Sequence, residues 1–120
     1  MKKILVVDDE ESIRLLVSTT LEDEEFEIVE ASDGKEALER VKEGKPDLIL
    51  LDVMMPEING LEVCRRLKGD PETKDIYIIM LTAKGQELDK EKGKEVGADE
   101  YFTKPFSPLA LIEKVNEVLR

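Results

Sequence analysis

Apolar positions along the chain fall into two alternating patterns. Unbroken runs occur at Ile4–Val7, Leu48–Leu51 and Ile76–Leu81, and between them lie stretches in which apolar residues return every three or four positions. Unbroken runs read as strands buried on both faces, and the spaced stretches read as helices with one buried side. Ser12 is placed to cap a helix carrying Ile13, Leu16, Val17 and Leu21, which ends at Asp23–Glu25. Phe26–Ala31 partly alternates apolar with acidic residues, as a strand at a sheet edge would, and Ser32-Asp33-Gly34 follows as a turn. A helix with Ala37, Leu38 and Val41 inward stops at Gly44 and Pro46, and another opens at Asn59 or Gly60, runs through Leu61, Cys64 and Leu67 and closes at Gly69-Asp70-Pro71.

The segment Gly85–Val96 is nearly all charge, with Leu88 and Val96 as its large apolar anchors, and predicts a loosely held helix. A short strand around Tyr101 and Phe102 ends in Lys104-Pro105, and the last helix repeats Leu111, Ile112, Val115, Val118 and Leu119. Five strands alternating with five helices require right-handed crossovers and hence a parallel sheet. With the three most apolar strands central, the expected fold is α/β, doubly wound, with strand order 2-1-3-4-5 and helices on both faces, forming one domain over residues 1–120.

That order reverses between strands one and three, where open α/β sheets bind their ligands beyond the strand ends. Strand one runs into Asp8-Asp9-Glu10 and strand three stops at Asp52. Strand four delivers Thr82 to the same edge, and strand five delivers Lys104. Gathered carboxylates repel each other, and a hard cation keeps them ionised; magnesium, with manganese as a substitute, suits an all-oxygen site that also meets a phosphate. Carboxylates, a metal, a hydroxyl and an ammonium make a set for phosphoryl transfer. Asp52 stands alone at its strand end as the candidate nucleophile, and the pair Asp8 and Asp9 suits the metal.

Composition narrows the classes. With 29 acidic against 18 basic residues the net charge is −11, which opposes direct contact with nucleic acid or anionic membrane. No apolar stretch reaches the ~20 residues that span a bilayer, and a cytoplasmic location is expected. The chain has no histidine, which removes His-based acid–base catalysis. Cys64 is the single cysteine, so no intramolecular disulfide forms, and its helical spacing places it in the core.

The residues Asp8-Asp9-Glu10, Asp52-Val53-Met54-Met55-Pro56 with Asn59-Gly60, Leu81-Thr82-Ala83 and Lys104-Pro105-Phe106 together resemble the receiver (CheY-like) domain of two-component response regulators. The resemblance runs the length of the chain. It implies a flavodoxin-like sheet, Asp52 as phospho-acceptor, and Asp9, Asp52 and the Met54 backbone carbonyl as metal ligands, with Asp8 holding the metal through water. It further implies that Thr82 and Lys104 contact the phosphoryl group, that Tyr101 changes rotamer on activation, and that Lys104-Pro105 is cis. The implied phosphodonor is a sensor histidine kinase or a small acyl phosphate. The implied output is a change of the surface made by the fourth helix, fifth strand and fifth helix, read by a downstream protein or a phosphotransfer protein. The domain is expected to be a signalling module and not an enzyme toward other substrates, monomeric, with dimerisation on phosphorylation left open.

Three rivals fit less well. A phosphatase or mutase working through an aspartyl-phosphate would carry a second acid at position 54, where this chain has Met54. A flavin carrier would need glycines and hydroxyls after strand one, where acids stand instead. A pseudo-receiver would lack an acid or the lysine, and none is missing. Met54 also implies slow self-dephosphorylation, because a thioether cannot orient a hydrolytic water.

Overall fold

The apolar runs become the middle of one sheet because nothing else can cover both of their faces. The computed structural model describes residues 1–22, 25–83 and 95–120. The elements are β1 (Lys3–Val7), α1 (Glu11–Glu22), β2 (Glu27–Ala31), α2 (Gly34–Glu43), β3 (Leu48–Asp52), α3 (Gly60–Lys68), β4 (Tyr77–Ala83), β5 (Glu100–Lys104) and α4 (Pro108–Leu119). All strand pairs are parallel and the order is β2-β1-β3-β4-β5, as expected. The predicted helix over 85–96 lies outside the described residues except for positions 95 and 96, which are helical.

Alternate residues of the central strands feed two cores, as the two-residue strand repeat dictates. Leu5, Val7, Ile49, Leu51, Ile78 and Met80 pack against α2 and α3 through Ala37, Val41, Val63, Cys64 and Leu67. Ile4, Val6, Leu48, Leu50, Ile79 and Leu81 pack against α1 and α4 through Val17, Leu21, Leu111 and Val115. The acid-containing β2 and the half-exposed β5 take the edges. Cys64 is buried, and burial pushes its thiol up to about 11, which is the behaviour of a core residue.

The starts of α1 and α2 differ from expectation. Ser12 lies inside α1; the first turn is instead received by the Glu10 carbonyl, which accepts from Ile13 N–H at 3.1 Å and Arg14 N–H at 3.2 Å. Asp8 makes this possible, because its Oδ1 accepts from Glu10 N–H at 2.9 Å and folds the turn back. The remaining caps follow the usual chemistry: Asp33, Asn59 and Ser107 each accept from the backbone N–H three residues on. Gly34, read as part of a turn, is already the first helical residue of α2.

Candidate functional site

Register alone brings the polar strand ends together. Val7 pairs with Leu51, so the next residues, Asp8 and Asp52, leave the sheet side by side. Asp52 pairs with Leu81, one before Thr82, and Ala83 pairs with Lys104. Asp8, Asp52 and Thr82 are buried at 0%, 4% and 1% exposure, which is exceptional for polar side chains and requires partners.

Lys104 is the partner common to the acids. Its Nζ donates to Asp8 Oδ2 at 2.7 Å and lies 3.3 Å from Asp52 Oδ1 and 3.9 Å from Glu10 Oε1. Burial by itself would lower the lysine, but the hydrogen bond to Asp8 and the charges of Asp52 and Asp8 hold it above its usual value. One ammonium does not balance the acids around it. Burial, followed by the charge of Asp8, pushes the Asp52 carboxyl up to about 7 even though Lys104 pulls it down. Met54 N–H approaches Asp52 Oδ1 at 3.4 Å, while the Met54 side chain is 60% exposed at the rim.

Among the described residues, the carboxylates that converge to within 4.8 Å of one another are those of Asp8, Asp9 and Glu10. Asp52, expected as a ligand, is outside this set, and Lys104 Nζ bridges it to Asp8. Glu10 was not singled out as a ligand by the sequence; its signal was only that it extends the acidic turn. All donors here are hard oxygens with no nitrogen or sulfur among them, and an excess of buried negative charge faces them. That donor set fits magnesium and does not fit zinc or copper.

Two hydroxyls near this edge are buried without a hydrogen-bond partner among the described residues: Thr82 Oγ1 and Tyr101 Oη. An unmet buried hydroxyl costs stability, so its retention calls for an explanation. Tyr101 packs with the α2–α3 side of the core, and burial raises its phenol above the ordinary value. The Lys104-Pro105 bond is cis, as the resemblance implied.

Gly60 shapes the same edge from below. A Cβ there would overlap the Asp52 carbonyl oxygen and lie 2.9 Å from the Asp52 carbonyl carbon. Gly60 N–H donates to the Val53 carbonyl at 3.0 Å, so α3 begins pressed against the backbone that presents Asp52. Between them, Glu57 turns the loop with φ of 63°.

This arrangement, with acids at the switch in strand order and a lysine from an edge strand reaching across to them, defines a class of signalling domain. The model of the response regulator receiver domain family matches residues 4–116, and the chain belongs to that family. It is 52% identical over 120 residues to the alkaline phosphatase synthesis transcriptional regulatory protein PhoP of Bacillus subtilis, a match covering 99% of this chain and 49% of that protein. It is 46% identical over 119 residues to the phosphate regulon transcriptional regulatory protein PhoB of Escherichia coli, covering 99% and 52%. The chain thus spans about half the length of the curated relatives it matches. Among solved structures, the chemotaxis response regulator CheY4 of Vibrio cholerae superposes with a TM-score of 0.91 at 39% identity, covering 99% of each chain. The BeF3-activated DrrB receiver domain superposes with a TM-score of 0.89 at 35% identity, covering 99% of this chain and 97% of that one. No helix among the described residues is long and apolar enough to cross a membrane.

Proposed function

We propose that this receiver domain takes a phosphoryl group on Asp52 from the phosphohistidine of a sensor histidine kinase, or from a small acyl phosphate, and transmits the change to a protein partner. The observation that carries the reading is the Asp8–Lys104–Asp52 bridge at the point where strand order reverses. An Asp52 carboxylate oxygen forms the new bond to phosphorus. The bond from phosphorus to the donor's imidazole nitrogen or acyl oxygen breaks, and the donor leaves with that electron pair.

Lys104 is placed to neutralise charge on the transferred group by turning its ammonium from Asp8 toward a phosphoryl oxygen. The Thr82 hydroxyl, without a partner among the described residues, supplies a second donor, and drawing it toward the phosphoryl group opens space behind it for Tyr101, whose own hydroxyl likewise has no partner among the described residues. Asp9, with Asp8, Asp52, Glu10 and the Met54 carbonyl nearby, would hold magnesium. When bound, that ion supplies positive charge that shields the acids from one another and from an incoming phosphate.

The two arrangements of Thr82 and Tyr101 form a population that phosphorylation biases, altering the face that includes β5 and α4. The curated relatives are named transcriptional regulatory proteins. That favours an output in transcription, delivered through a partner or an attached domain, since a net charge of −11 opposes DNA contact by the receiver itself. Reduction with borohydride after treatment with acetyl phosphate and magnesium tests the acceptor: acyl phosphate at Asp52 would leave homoserine at position 52. Homoserine elsewhere, or none, would overturn the assignment.

A further inference from the structure

Arg14, the fourth residue of α1, is mostly buried, with its side chain 16% exposed, although it comes from the acid-rich end of the sheet. Its Nη1 donates to the Asp8 backbone carbonyl at 2.6 Å, and its Nε lies 3.3 Å from Glu30 Oε1 near the end of β2. Asp8 is thereby held on every side. Its N–H donates to the Ala31 carbonyl at 3.2 Å, its Oδ1 accepts from Glu10 N–H at 2.9 Å, and its Oδ2 accepts from Lys104 at 2.7 Å. The carbonyl that Arg14 holds belongs to the peptide joining Asp8 to Asp9. Fixing that peptide plane fixes the direction from which Asp9 projects beside Asp8 and Glu10.

A guanidinium beside a cation site is unfavourable by charge alone. Glu30 reduces the conflict by pairing with the guanidinium Nε, while the contact that Nη1 makes with the turn is a hydrogen bond to a carbonyl. We infer that Arg14 is a positioning residue for divalent-cation binding: it orients the Asp8–Asp9 peptide, and through it the carboxylates that receive magnesium. The inference rests on the acidic turn being the magnesium site.

Charge and positioning predict opposite signs, which makes the test direct. Magnesium chloride is titrated calorimetrically into the wild type, Arg14→Met and Arg14→Lys, with metal-free unfolding midpoints recorded beside each. Groups that orient metal-ligating side chains are commonly worth about tenfold or more in affinity. Arg14→Met should therefore bind magnesium about tenfold more weakly despite having lost a positive charge, and Arg14→Lys should recover most of the affinity. Magnesium binding by Arg14→Met as tight as the wild type or tighter would overturn the inference while leaving the metal site standing. No saturable binding by the wild type would remove the metal reading and this one with it. Should Arg14→Met not unfold cooperatively, Arg14→Gln, too short to reach the carbonyl, replaces it with the same expected and contrary results.

Discussion

At the scale of single residues, Thr82 places a polar group where burial costs stability. Its hydroxyl is buried with no partner among the described residues, so Thr82→Ala should cost no more than about 1 kcal/mol, the lost buried methyl being offset by relief of the unmet donor. The same variant should weaken the response of the Tyr101 environment to beryllofluoride, followed by tyrosine fluorescence. A Thr82→Ala protein destabilised by several kcal/mol would show that the hydroxyl has a partner in solution. Met54 sits at the rim, exposed and without a polar group to orient water. Met54→Asn should therefore lose its phosphoryl group several-fold faster than the wild type, and an unchanged decay rate would contradict this. The meeting of Asp8, Asp9, Asp52, Thr82 and Lys104 at one sheet edge was legible in the sequence because each ends an apolar run or follows one. Glu10 and Arg14 were not, because their roles depend on a backbone turn whose shape no spacing reveals.

At the scale of elements, α3 and β3 meet through Gly60. The overlap that any Cβ there would make with the Asp52 carbonyl involves backbone on both sides, so neither partner can rotate away. Gly60→Ala should cost about 2–3 kcal/mol, in the range of overpacked sites, and should slow phosphorylation because relief comes by moving Asp52. Denaturant unfolding together with acetyl phosphate labelling measures both; a variant of wild-type stability would mean that α3 starts farther from β3. The sequence marked Gly60 only as a helix start, since a close backbone approach leaves no periodic trace. Conversely, the edge placement of β2 was readable from its acidic alternation, whereas β5, expected to be short, is as long as β1, β2 and β3 and differs from them in being only half-buried throughout. The start of α1 differs because the Glu10 carbonyl, in a turn folded by the Glu10 N–H donating to Asp8 Oδ1, does what a capping hydroxyl at Ser12 was expected to do. A second junction ties α3 to the far side of the sheet. Lys68 Nζ donates to the Lys74 and Ile76 carbonyls at 3.1 and 2.7 Å and to Asp99 at 2.8 Å. Gly97, with φ of 94°, lets the chain pass over the stem of that lysine on its way to β5.

At the scale of the whole molecule, the site stores unfavourable charge that folding must absorb. The Asp52 carboxyl rises from an ordinary 3.8 to about 7 on folding without metal, so between those values the folded chain binds a proton that the unfolded chain has released. Stability from this group therefore increases as pH falls from above 7 toward 4, with a slope of up to about 1.4 kcal/mol per pH unit. The wild type should show this slope over and above Asp52→Asn, and saturating magnesium, which favours the ionised acid, should reduce it. Equal slopes in the two proteins, measured by denaturant unfolding across that range, would mean that Asp52 is not strained. The global order 2-1-3-4-5 was readable because hydrophobicity ranks the strands from centre to edge, and the site follows from that order. Output is of another kind: it depends on a face and a partner whose fit is not encoded in the pattern that builds the sheet.

Acceptance of a phosphoryl group by Asp52 is proposed to depend on magnesium. Intact mass after incubation with acetyl phosphate and magnesium, run beside Asp52→Ala and beside wild type with chelator, tests it most directly. The wild type alone should gain one phosphoryl group, and lose that gain when the metal is removed. An adduct of the same mass on Asp52→Ala, or none on the wild type with magnesium present, would contradict it.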